Sequence, residues 1–253
     1  MYETCKQGVS RIKNDDLEQS LILHGLQKMK SNNENFHFRS EMLFLVNGDA
    51  DSAVMLSFCK QRQERESIDQ DPGHGAYWSM TNLGSVIGLS RTRLDSARHL
   101  LRKSGMLIER KDGWPAKLEY QVDLDLLEKQ LILSTPEFAE KEEIPINQEI
   151  LNFTGKNIHA ALMLSYAMSR QRVANATLPP EKFGIYWPMQ QKDWLRLIGL
   201  KRRKQESARK VLSETGCWKE RQWGWPAQNE FHLDLDQLLS IQPLLSGKEI
   251  GHA

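Results

Sequence analysis

A chain of 253 residues with a formal net charge of +1 has room for two domains of ordinary size, and its bulk charge predicts no polyanionic partner. Its three cysteines, Cys5, Cys59 and Cys217, lack Cys-x-x-Cys spacing, which argues against a disulfide framework or a zinc site and for a reducing compartment. No apolar run is long enough to span a bilayer and the N-terminus lacks the apolar core of a signal peptide, so a cytoplasmic protein with no membrane partner is expected.

In chain order, residues 1–35 read as an N-terminal helical extension. Its segment Asp16–Lys30 carries Leu17, Leu21, Leu23, Leu26 and Met29, an apolar set suited to forming a homodimer or docking a partner protein. Ala50 to Gln63 holds Ala53, Val54, Met55, Leu56 and Phe58 at helical spacing. After a loop with Pro72, Gly73 and Gly75, the aromatic pair Tyr77-Trp78 predicts a short strand. A short helix is expected from Thr81 to Ile87, broken at Gly88-Leu89-Ser90. Ser90 is suited to cap a helix from Arg91 to about Lys103, and Gly105 to end it in a left-handed conformation. Met106–Lys111 and Leu118–Val122 read as strands around the turn residues Asp112-Gly113-Trp114-Pro115-Ala116. A last helix runs from about Asp123 to Gln130.

This pattern then repeats. Ser96-Ala97-Arg98 and Gly113-Trp114-Pro115-Ala116 return, at one interval, as Ser207-Ala208-Arg209 and Gly224-Trp225-Pro226-Ala227. From Gly88 to Leu127 and from Gly199 to Leu238 about half the positions are identical without a gap. Tyr77-Trp78-Ser79-Met80 matches Tyr186-Trp187-Pro188-Met189, Met55-Leu56-Ser57-Phe58 matches Met163-Leu164-Ser165-Tyr166, and Phe36-His37-Phe38 matches Ile144-Pro145-Ile146. The expected domains are therefore 36–133 and 144–245. The acidic linker 134–143 between them contains Pro136, Glu137, Glu140, Glu142 and Glu143. The expected fold class is α+β, mostly helical.

The order helix, strand, helix, tight turn, helix, hairpin resembles the bacterial winged-helix regulators. Leu94, Ala97, Leu101 and Gly105 fall on the framework positions of their recognition helix and wing, as do Ala208, Leu212 and Gly216. The resemblance implies two tandem winged helix-turn-helix domains related by internal duplication, and a role in binding double-stranded DNA. At the level of fold alone, the length and domain pair are also similar to plasmid replication initiators of the Rep type. Gln205 stands where the first copy has Leu94, so looser packing is expected at the start of the second recognition helix.

At about 100° per residue, Leu94, Ala97, Leu101 and Ser104 form one stripe of the first helix, while Arg91, Thr92, Asp95, Ser96, His99 and Arg102 face the other way. Arg reads guanine in the major groove and hydroxyls read more loosely. The expected DNA contacts are Ser90, Arg91, Thr92, Arg93, Ser96, His99 and Arg102 in the first copy, and Lys201, Arg202, Arg203, Lys204, Ser207 and Lys210 in the second. Wing contacts are expected from Arg110, Lys111 and Lys117, and from Arg221 and Gln222. Asp95 and Glu206 are expected to pair with Arg98 and Arg209 three residues on. The indoles of Trp114 and Trp225 are expected to fold back over the hairpin or the recognition helix, with base stacking the alternative.

Nothing in the spacing suggests an enzyme, a cofactor or a metal. Thr154-Gly155-Lys156-Asn157 lacks the upstream glycine and the following hydroxyl of a phosphate-binding loop, and His37 has no neighbouring histidine. The expected partner is duplex DNA with two non-identical half-sites, inverted or direct, read by a covalent pseudo-dimer. The expected setting is the bacterial nucleoid or a plasmid, in transcription regulation, origin binding or transfer-site binding. A protein-interaction scaffold is the alternative of another class.

Overall fold

Phe36 and Phe38 are buried while His37 and Arg39, which alternate with them, are not, the pattern of a half-buried strand. The computed structural model describes residues 35–68, 78–79, 82–114, 116–134, 141–177, 186–225, 227–234 and 238. The described residues other than Leu238 lie in one unit, Glu34–Asp234. The expected extension helix at 16–30 and the end of the second expected domain fall outside them.

The first half runs β1 (Phe36–Arg39), α1 (Met42–Leu45), α2 (Ala50–Ile68), β2 (Trp78–Ser79), α3 (Leu83–Ile87), α4 (Arg91–Lys103), β3 (Leu107–Asp112), β4 (Lys117–Val122) and α5 (Leu124–Ser134). The second half takes the same order: β5 (Glu143–Ile146), α6 (Gln148–Phe153), α7 (Ile158–Thr177), β6 (Trp187–Pro188), α8 (Gln191–Ile198), α9 (Arg202–Glu214), β7 (Trp218–Trp223) and β8 (Gln228–Leu233). The fold is α+β with small antiparallel sheets. Two of them have three strands, in the orders β2-β4-β3 and β6-β8-β7. Trp78 stands opposite Tyr120 in one, and Trp187 opposite Phe231 in the other.

Each half is built on its long helix. Ala53, Val54, Met55, Leu56 and Cys59 of α2 are all fully buried, as are Ile158, Ala160, Ala161, Leu162 and Met163 of α7. A helix apolar on every side has neighbours on every side, and these two carry the sheets and shorter helices around them. In the second half Trp194 of α8 is the centre, packing edge-on against Tyr166 and Phe231. Cys59 and Cys217 are buried free thiols.

The two halves meet through matching contacts. Strand β1 pairs antiparallel with its counterpart β5, with His37 opposite Pro145 and Phe36 and Phe38 opposite Ile146 and Ile144. This pairing absorbs Glu142 and Glu143, so the C-terminal end of the expected linker is strand and strand edge rather than free connection. Gly88 ends α3 with φ of 70°, and Gly199 ends α8 with φ of 69°. A Cβ on Gly88 would lie 2.8 Å from Leu151, 3.1 Å from the Lys156 carbonyl oxygen and 3.2 Å from Ile158. On Gly199 it would lie 2.5 Å from Leu43, 3.0 Å from the Gly48 carbonyl oxygen and 3.3 Å from Ala50. Leu43, Gly48 and Ala50 occupy the first-half positions that match Leu151, Lys156 and Ile158. Each half thus presses its glycine turn into the same site on the other, the reciprocity of an isologous twofold contact.

Gly88→Ala and Gly199→Ala should each cost well over the ~1–2 kcal/mol of a left-handed alanine, because the methyl also meets the opposite half. Gly48→Ala has φ of 75° but open space around its Cβ, so it should cost only the backbone strain. Urea unfolding midpoints of the three variants check the difference.

Candidate nucleic-acid interface

Helices α4 and α9 begin after residues in extended conformation, Ser90 and Lys201, and neither side chain makes a capping hydrogen bond. Ser90 therefore occupies the expected cap position without the expected bond, and its side chain faces solvent. Ala97 and Leu101 are buried in α4, and Ala208 and Leu212 in α9. Gln205 is only 3% exposed and donates through Nε2 to the Leu200 carbonyl at 2.6 Å and the Gln191 carbonyl at 2.9 Å. The start of α9 is therefore tied to the preceding helix and turn, and the looser packing expected there is not found. The buried Gln205 amide has both donors used on backbone carbonyls, which is how a polar side chain is accommodated at a core position.

The outward face of α4 carries Arg91, Thr92, Asp95, Ser96, His99 and Arg102, all exposed, as expected. Ser96 Oγ donates back to the Thr92 carbonyl at 3.0 Å. On α9, Lys201, Arg202, Arg203, Glu206, Ser207 and Lys210 are exposed. Asp95 accepts from Arg98 at 2.9 Å, as expected. Glu206 instead accepts from Arg202, one turn earlier, at 2.7 Å. This occupies one expected contact and leaves Lys201, Arg203 and Lys210 with no carboxylate within ion-pair distance among the described residues.

The arginine shared by both Ser-Ala-Arg segments joins helix to hairpin. Arg98 forks onto Glu109 of β3 at 2.7 and 3.0 Å, and this pairing raises its pKa further. Arg209 reaches Glu220 Oε2 of β7 more loosely, at 3.6 Å, and Trp218 Nε1 donates to the other oxygen of that carboxylate at 2.6 Å. Arg110 and Arg221, expected as wing contacts, both bond across the hairpin, to Glu119 and Glu230 at 2.7 Å. Arg221 also lies over the Tyr186 ring at 4.1 Å. Lys111, Lys117 and Gln222 project into solvent.

Arg93 and Lys204 hold matching positions on the two helices, and both turn inward to Asp51. Arg93 Nε donates to Asp51 Oδ2 at 2.9 Å and its Nη2 pairs with Oδ1. Lys204 Nζ lies 3.3 Å from Oδ2 and 3.9 Å from Asp49. His159, which matches Asp51 in the second half, puts Nε2 2.8 Å from Asp51 Oδ1 and 2.7 Å from Arg93 Nη2. Of the expected contacts, these two cations are the ones committed to the junction between the halves. Burial alone would raise the Asp51 pKa, but the hydrogen bonds and charges of His159 and Arg93 hold it far below the ordinary carboxylate range. Burial lowers the His159 pKa, Arg93 and Lys204 act in the same direction, and Asp51 opposes them. Asp51 and His159 escaped the sequence reading. Their one signal there is that matching positions inside two apolar helix starts are both polar.

Trp114 and Trp225 do not fold back. Each is 97% exposed at the tip of its hairpin. Among the described residues no cluster of His, Cys, Asp or Glu could hold a metal ion, and no helix is long and apolar enough to cross a membrane. Comparison with protein-family models, with curated proteins and with solved structures finds no match to this chain.

Asp51→Asn should cost about 2–3 kcal/mol, since Arg93 and Lys204 then lose the charge that offsets their partial burial. Acid should act in two steps. Below about pH 6.5 the unfolded chain protonates His159 while the folded one resists, so stability falls as pH falls. Below about pH 4 protonation of Asp51 in the unfolded chain adds a second loss. His159→Gln should remove the first step and leave a second, held by Arg93, read as urea midpoints from pH 8 down to about 2.

Proposed function

We propose that the chain is a sequence-specific double-stranded DNA-binding protein, built as two linked winged helix-turn-helix domains that act as a covalent pseudo-dimer. In this reading α4 and α9 are the recognition helices, and the β3–β4 and β7–β8 hairpins are the wings. The observation that carries it is the reciprocal junction. Two exposed, cationic helices of matching position are tied at their first turns to one carboxylate. That is a way of holding two readers at a set spacing and orientation, for which a solvated basic face has no need.

The same junction supports inverted rather than direct half-sites. Recognition helices related by a twofold face inverted half-sites, as the symmetry of a dimer is mirrored in its operator. The half-sites differ where the helices differ: Ser90 against Lys201, Thr92 against Arg203, His99 against Lys210. Arg91, Thr92, Ser96 and His99 line one open depression on α4, the surface proposed to meet the first half-site. Arg93 and Lys204 position the helices, and Arg98 and Arg209 position the wings. Arg203 reads bases of the second half-site, and Lys201 and Lys210, joined by Lys111 and Lys117, meet phosphates. The biological setting we propose, from the family resemblance, is transcription regulation or the binding of an origin or transfer site on a plasmid or mobile element.

Selection from a random duplex pool at low and moderate salt tests this. An inverted two-part motif with unlike halves is expected, with affinity falling steeply with salt, each neutralised phosphate contributing a slope of about 0.9. Arg203→Ala should weaken and relax one half and Arg91→Ala the other. Equal weakening of both halves by either variant, or a direct-repeat motif, would sink the assignment of one helix to each half. No enriched motif and no salt slope would point to a protein-interaction scaffold.

A further inference from the structure

The Gly-Trp-Pro-Ala turns are identical in both hairpins, and the proposed DNA reading gives them no task so far. The antiparallel ladders run unbroken to the tips, ending at Asp112 opposite Lys117 and at Trp223 opposite Gln228. Gly113 and Gly224 then take φ of 75° and 84°, which turns the chain sharply and presents the next residue outward. That residue is tryptophan both times, with almost its whole indole in water. Burying such a ring ordinarily contributes about 2–3 kcal/mol to folding, and both halves forgo it. A turn alone needs glycine and proline, so the tryptophan is kept for something outside the chain.

The surroundings indicate what. Lys111 and Lys117 flank the first tip, exposed and without a carboxylate in ion-pair distance among the described residues. Gln222, Gln228 and Asn229 flank the second with exposed amides. Cations suit phosphates, amides suit the acceptors on the minor-groove floor, and an indole face suits a base. Each hairpin follows directly on α4 or α9. The first rim is charged, with Lys111, Asp112 and Lys117 exposed, and the second adds the exposed ring of Trp223 to its amides.

We propose that Trp114 and Trp225 are paired wedges that enter the minor groove beside the two half-sites and unstack a base step there, which would make the protein a distorter of its DNA as well as a reader. Apolar wedges of this type separate base steps and kink the duplex. The proposal rests on the DNA-binding reading above.

The probe is the selected duplex with single 2-aminopurine substitutions stepped outward through its flanks. Wild-type protein should raise the fluorescence at one step on each side. Trp114→Ala should abolish the rise on one side only and weaken binding roughly tenfold, Trp225→Ala should do the same on the other side, and the Trp→Phe variants should fall between. Thermal melting of the free variants should match wild type, because the indoles touch almost nothing in the fold. Wild-type affinity in both Ala variants, or weakened binding with no rise at any step, overturns the wedge and leaves the tips to a partner of another kind. If the wild type binds no duplex at all, the DNA-binding reading fails first, and the wedge with it.

Discussion

The arrangement depends on where Asp51 is placed. A carboxylate at the start of a buried helix can keep its charge only if cations and donors surround it, and here they come from three elements of both halves: Arg93 on α4, Lys204 on α9 and His159 on α7. Arg93 comes from the same half as Asp51, while Lys204 and His159 come from the other. Its requirement therefore acts as a constraint on the relative position of the two exposed helices. The β1–β5 pairing and the two glycine turns supply the apolar and backbone part of the same constraint.

The junction is symmetric in its framework and asymmetric in its charges. Both glycines, both turns and both strands match. At the centre, however, the matched pairs are unlike: Asp51 with His159, and Arg93 with Lys204. Asp51 faces two cations, Arg93 and Lys204, and a second carboxylate, Asp49, lies 3.9 Å from Lys204. His159 stands where a second aspartate would otherwise face them, and burial lowers its pKa. A chain with both halves in one sequence can carry unlike residues at matched positions, while a homodimer of identical chains cannot.

Much of the secondary structure is legible in the residues. The helix Arg91–Lys103, the hairpin strands and the short strand at Trp78 follow from spacing, β-forming aromatics and turn glycines, with ends shifted by a residue or so. Strands β1 and β5 were not legible. Each is four residues long, and each is stabilised by the other across the whole first half of the chain. Local pattern carries no record of such a partner. The residues read as outward on the two helices are exposed, but Arg93 and Lys204, also expected to meet DNA, turn to Asp51, 42 and 153 residues away along the chain, a partner that helix angle alone cannot reveal.

The sequence by itself determined that one pattern occurs twice, which residues make its framework, and where the two halves differ, because repetition, periodicity and turn chemistry are local properties. Only the tertiary structure decided how the halves face one another, which cations are occupied by carboxylates, and that the two tip tryptophans stand in water. Those outcomes come from close approach, shared burial and charge compensation between residues far apart in the chain. They exist only once the strands have paired and the glycine turns have met the opposite half.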